Sequence, residues 1–178
     1  MNDNYTMIML RPFQQSDFSK LISWIDNEEL LVTIAGNIFT YPLTTAQLQK
    51  YLEDERSISF CIEHQNSNAS VGHAEIVSAN DGTCKIDKLL IADNSNRGKG
   101  VGQQVMKELL KYAFERLPVN TVELNVFDWN KAAICCYQKV GFVFNEAKTA
   151  NFQLGNKNWT ALNMVLNRSE WDSHKSSC

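Results

Sequence analysis

Two periods alternate along the chain. Apolar residues recur at helical spacing at Phe18, Leu21, Ile22 and Ile25, at Leu48, Tyr51 and Leu52, and at Val101, Val105, Leu109, Leu110, Ala113 and Leu117. Ser16-Asp17 and Thr44-Thr45 precede the first two runs and supply side-chain oxygens for helix N-caps. Short apolar or alternating runs mark strands at Met7 to Arg11, Ile58 to Glu63, Val71 to Val77, Lys85 to Ala92, Thr121 to Phe127, Phe142 to Asn145 and Asn158 to Leu166. Gln65-Asn66-Ser67-Asn68, Asp81-Gly82 and Gly155-Asn156 carry turn chemistry between neighbouring strands. Residues 35–41 are apolar but turn-rich, and Pro118 follows the long helix.

Three strands in a row predict an antiparallel meander. A strand–helix–strand passage over 86–127 predicts one parallel pair, because only a crossover of this length joins parallel neighbours. The expected fold class is therefore α/β of the α+β kind: a central mixed, mostly antiparallel sheet of about six to seven strands flanked by helices. One domain is expected over residues 1–168, with 169–178 a frayed C-terminal tail.

Between the strand ending at Ala92 and the helix opening at Val101 lies Arg97-Gly98-Lys99-Gly100-Val101-Gly102. Glycines let the backbone approach a ligand closely, and the N–H groups of a helix start attract anions, so this turn reads as a phosphate cradle. A Walker loop does not fit, since Lys99 is followed by Gly100-Val101 and not by Ser or Thr. A dinucleotide fingerprint fits poorly as well: the turn comes after about 90 residues, and the next strand carries Glu123 and Asn125 inside it instead of an acid about 20 positions on at its end.

Thirty residues on, Val126-Phe127-Asp128-Trp129-Asn130-Lys131-Ala132-Ala133-Ile134-Cys135-Cys136-Tyr137-Gln138-Lys139-Val140-Gly141-Phe142 supplies the second signature. A strand ending in Asn, then Ala-Ile and Tyr on a short helix, then Gly-Phe, resembles the GNAT N-acetyltransferase superfamily. Leu10-Arg11-Pro12-Phe13, Asp17-Phe18, Leu21 and Trp24-Ile25 resemble the branch that holds ribosomal-protein N-terminal, spermidine and aminoglycoside acetyltransferases.

The resemblance implies acetyl-CoA as co-substrate, no metal, and transfer to a primary amine by direct attack. The acceptor would be a peptide or ribosomal-protein N-terminus, a polyamine or another small amine. It further implies that Leu90, Ile91 and Ala92 pair with the pantetheine amides as a strand would. The amides of Gly98 through Gly102 hold the pyrophosphate, and the Arg97 and Lys99 side chains either add charge there or remain solvated. Asn130 either bonds the pantetheine or caps its helix. Tyr137 protonates the departing thiolate, a role its ordinary pKa of ~10 suits against a thiol of ~8.5. No single base stands out. Asp87 and Glu75 lead, with Asp128, Glu123 and His73 as further options. Residues 35–41 would line the acceptor site, and the final hairpin offers an edge for a homodimer. A catalytically degenerate acyl-CoA-binding module is the alternative; it would keep the Gly turn and lose the acid.

Composition narrows the partners. A net charge of −3 gives no case for non-specific nucleic-acid binding. The chain shows no apolar run of ~20 residues, and Met1-Asn2-Asp3-Asn4 lacks the basic start of a secretory signal. A cytoplasmic location and no membrane partner are the expectation. Five cysteines without Cys-x-x-Cys spacing argue against a disulfide framework or zinc site.

Overall fold

The computed structural model describes residues 7–79, 81–92, 98 and 100–175. Seven strands form one sheet in the order β1-β2-β3-β4-β5-β7-β6: β1 (Ile8–Pro12), β2 (Ser57–His64), β3 (Ser70–Ser78), β4 (Thr83–Ile91), β5 (Thr121–Phe127), β6 (Val143–Leu154) and β7 (Lys157–Asn167). Every neighbouring pair is antiparallel except β4–β5. The helices are α1 (Phe18–Trp24), α2 (Glu28–Ala35), α3 (Thr45–Leu52), α4 (Val101–Arg116), α5 (Lys131–Lys139) and α6 (Arg168–Lys175).

The crossover helix α4 provides the largest apolar payload. Val105, Met106, Leu109, Leu110 and Ala113 lose all solvent exposure against Ile76, Val122, Met164 and Leu166 of the sheet. Each large side chain so buried contributes about 1.5–3 kcal/mol. A second core lies among α1, α2 and α3, where Phe18, Leu21, Leu31, Leu48 and Tyr51 pack with Cys61 and Leu90. A third and smaller cluster joins Val32 of α2 to Phe127, Trp159 and Ala161.

Three elements differ from the sequence reading. Helix α2 was not expected. Asn27 caps it by accepting from Leu30 N at 2.8 Å, and Glu28 and Glu29 occupy its first turn. Its Val32-Thr33-Ile34 run is β-branched and masks the helical period. Strand β6 extends to Leu154, well past Asn145; it is an edge strand, mostly exposed and polar, with an irregularity between Phe144 and Thr149, so alternation is faint. Arg168–Lys175 form α6, with the Arg168 guanidinium donating to the carbonyls of Phe114 and Val119 and Trp171 stacked on Phe114.

Candidate active site

β4 and β5 pair only from Thr83 with Thr121 to Ile86 with Leu124. Beyond that point the two strand edges part. The cause sits in β4, where the register against β3 jumps from Glu75 opposite Asp87 to His73 opposite Leu90. Lys88 and Leu89 therefore share one opposing residue, which is a bulge, and bulges bend a strand and increase its twist. Lys88 takes φ +47°, a conformation that costs a non-glycine residue about 1–2 kcal/mol. Two contacts hold it. Its N–H donates to Asp87 Oδ1 at 3.1 Å, and its ammonium forms a buried ion pair with Glu75.

Two cavities open on the parted strands. One, about 440 Å³, lies between the start of α4 and α5 and is lined by Leu89, Ile91, Gly98, Gly100, Val101, Gly102, Asn130 and Tyr137 among others. The second, about 710 Å³, lies between the strands under α2 and is lined by Asn27, Leu30, Thr33, Asp87, Leu90, Asn125, Phe127 and Trp129. Leu89, Ile91, Asn130 and Tyr137 belong to both linings. A long ligand can thus enter on one side of the sheet and meet a second ligand from the other.

Gly98 and Gly100 both sit at left-handed φ, +80° and +79°, and a Cβ at either would meet nothing within 4 Å. Their requirement is conformational and not spatial: the turn into α4 needs backbone values that L side chains rarely adopt. Arg97 and Lys99 lie outside the described residues.

Tyr137 is half-buried and lines both cavities. Burial, with the neighbouring Cys136 thiol adding to it, pushes its hydroxyl above the usual phenol range. It is therefore protonated at neutral pH. Asn130 caps α5, its Oδ1 accepting from Ala133 N at 3.2 Å, and at the same time lines both cavities. Leu90 and Ile91 line the larger cavity, while Ala92 turns its N–H to the Val71 carbonyl at 2.8 Å.

The two leading carboxylates separate cleanly. They face each other in register, yet the Glu75 side chain is 1% exposed and committed to Lys88, whereas that of Asp87 is 21% exposed, accepts from Lys85 Nζ at 3.0 Å and lines the cavity. Glu75 is thus closed off from a ligand in the cavity. His73 packs edge-on against Phe13 and bonds Tyr51 Oη at 3.2 Å; burial, with Lys88 adding, lowers its pKa to about 3 and keeps it neutral. Glu123 is bound to Lys148, and Asp128 N–H donates to Thr160 O.

Sequence reasoning did not find the aromatic wall, in which Trp129 stacks on Phe127 with ring planes 6° apart and Trp159 meets both edge-on. Nor did it find the contribution of α2, or the carboxamide pair Asn125–Asn163. Trp129, unusually large ahead of Asn130, was the one visible signal.

A strand cleft opened by a bulge, a left-handed Gly turn at a helix start and a half-buried tyrosine shared by two cavities thus converge on one region of the sheet. The model of the acetyltransferase (GNAT) domain matches residues 8–143, and the chain belongs to that family of acyltransferases. An N-acetyltransferase 9-like protein of Nematostella vectensis is 23% identical over 146 residues, 76% of this chain and 74% of the relative. Acetyltransferase PseH of Campylobacter jejuni is 32% identical over 111 residues, 56% of this chain and 68% of PseH. Spermidine N-acetyltransferase of Vibrio cholerae, solved with CoA and spermine, shares the fold with a TM-score of 0.78 at 18% identity, over 93% of this chain and 98% of that one. An aminoglycoside acetyltransferase solved with coenzyme A gives 0.73 at 21%, over 94% and 99%.

Proposed function

We propose that the protein transfers an acetyl group from acetyl-CoA to a primary amine of a small molecule or peptide by direct attack. The observation that carries this reading is Tyr137, protonated, half-buried and shared by both cavities. When bound, acetyl-CoA supplies an acyl group activated as a thioester. The residues that would hold it fit its shape: the Gly98–Gly102 turn and the α4 start suit a pyrophosphate, and the β4 edge at Leu90 and Ile91 suits an amide-bearing arm.

The chain's own groups then divide the proton work. Asp87, at the point where the strands part and in contact with the acceptor cavity, accepts the proton that the attacking nitrogen must lose, directly or through water. Tyr137 donates its hydroxyl proton to the departing sulfur. Asn130 orients the pantetheine end while capping α5. Tyr137 also opposes the reading of a degenerate binding module, which has no use for a protonated acid at the meeting of two cavities.

Calorimetric titration with acetyl-CoA, with NAD and ATP as controls, tests the cofactor. Saturable binding of acetyl-CoA alone is expected, weakened tenfold or more by Gly100→Glu, which combines left-handed strain of about 1–2 kcal/mol with a carboxylate among phosphates. Absence of binding at millimolar acetyl-CoA would sink the proposal.

A further inference from the structure

Asn125 stands one residue beyond the last β4–β5 pair, on the wall of the larger cavity. Directly opposite it on β7 is Asn163, a polar residue buried in the sheet. Asn163 Nδ2 donates to the Leu124 carbonyl at 3.3 Å and to Asn125 Oδ1 at 2.9 Å, with Glu123 Oε2 at 3.5 Å, and its Oδ1 accepts from Asn145 Nδ2 at 3.1 Å.

This arrangement leaves no freedom in how the amides are turned. A backbone carbonyl and a carboxylate only accept, so the group that Asn163 turns to Leu124 and Glu123 must be its NH₂. Asn125 must then offer its oxygen to Asn163. The Nδ2 of Asn125 is thereby aimed away from β7, and the cavity wall presents an N–H donor.

The charge on the wall points the same way. The two carboxylates that line this cavity are both paired, Asp87 with Lys85 and Glu29 with Lys157. Among the described residues, a polycation would meet no carboxylate in this cavity that lacks a lysine partner. Trp129, 44% exposed and stacked on Phe127 by one face, adds an apolar surface at the rim.

We infer that Asn125 is a specificity-determining residue that donates an N–H to a neutral oxygen of the acceptor. The acceptor is a monoamine bearing hydroxyl or carbonyl oxygens and not a polyamine. The inference rests on the acetyl-transfer reading of the same cavity. Asn163 acts through Asn125 as a positioning residue.

The test uses the full-length protein with three kinds of amine: glucosamine and amino alcohols for hydroxyl oxygen, dipeptides for carbonyl oxygen, and spermidine for none. Calorimetric Kd and release of the CoA thiol are read for wild type, Asn125→Ala and Asn125→Asp. An oxygen-bearing amine is expected to give the highest kcat/KM, and its Kd rises about three- to tenfold in Asn125→Ala, the loss of one hydrogen bond. Asn125→Asp still accepts from Asn163 but presents acceptor oxygen to the cavity. It lowers the preference further and improves spermidine, while acetyl-CoA affinity stays as in wild type. Asn163→Asp lets Asn125 turn its oxygen outward, and it shifts the same preference towards spermidine; an equal loss for both kinds of amine overturns the positioning role.

Spermidine as the best wild-type acceptor, no binding by any oxygen-bearing amine, or an unchanged Kd in both Asn125 variants overturns the inference. If acetyl-CoA itself does not bind wild type, the parent reading falls and takes the inference with it. If acetyl-CoA binds and Asn125 is indifferent, the inference alone falls.

Discussion

The two walls of the cleft are built differently. On the side of α4 and α5, apart from the Asn130 and Tyr137 that both sides share, the polar groups come mainly from backbone: the left-handed turn at Gly98 and Gly100, the first turn of α4 and the unpaired edge of β4. On the side of α2 and β7 they come from side chains contributed by separate parts of the chain, Asn27, Asp87, Asn125 and Trp129, with Asn163 behind them. A backbone wall recognises whatever has amides and phosphates in the right order, and it constrains side chains only at the few positions that fix its conformation. A side-chain wall sets selectivity and changes with each substitution. The first suits a ligand common to a whole family, the second a ligand particular to one member.

The largest effect is expected where the walls meet. Tyr137→Phe should lower kcat by about 10²–10⁴, the usual contribution of a positioned acid, with acetyl-CoA affinity nearly unchanged by calorimetry. Because the Tyr137 hydroxyl lies above its usual range, wild-type kcat should not decline between pH 9 and 11 through loss of this proton; a fall there that is absent in Tyr137→Phe would assign the acid an ordinary pKa.

The backbone wall should break through its scaffold. A Cβ at Gly72 would stand 2.3 Å from the Leu90 carbonyl oxygen. Gly72→Ala must therefore push β4 away from β3, at a cost of roughly 1–3 kcal/mol as for other overpacked sites. Urea denaturation should show the loss, and calorimetry a matching loss of acetyl-CoA affinity. Full retention of both would mean that β4 yields without consequence.

A smaller effect concerns the backing of that wall, where His73 stands opposite Leu90 in register. Its folded pKa is lowered from 6.5 to about 3, first by burial and then by Lys88, with Asp17 opposing. The unfolded chain takes up this proton below pH 6.5 and the folded one refuses it, so stability falls as pH drops from 6.5 towards 3. The slope is at most about 1.4 kcal/mol per pH unit. His73→Gln should flatten it between pH 4.5 and 6.5 in urea-denaturation midpoints; parallel curves for the two proteins would refute the assignment.

The difference between the walls also explains what the sequence disclosed. Gly98, Gly100, Val101, Asn130 and Tyr137 are legible because a backbone site demands particular residue types at fixed local spacing. The strand–helix–strand crossover, the meander and the parallel pair were legible for a similar reason, since periodicity and turn chemistry are local. Helix α2 was obscured by its β-branched run. The Asn125–Asn163 pair is 38 positions apart in the chain and exists only through β5–β7 register. Glu75 and Asp87 looked equivalent in sequence; only the bulge at Lys88, which closes one acid into an ion pair and leaves the other in the cavity, tells them apart.

The short β4–β5 seam has a further consequence for how the protein lives in a crowded solution. Two unpaired strand edges face one another inside the molecule, beneath α2, and not at its rim. Such edges ordinarily recruit other chains and seed aggregation. On the proposed function the gap is wide enough for a slender guest and too narrow for a whole strand with its neighbours. The guest that completes the sheet should also protect it: at a hundred times its Kd, acetyl-CoA would add about 2.7 kcal/mol to the stability of the fold.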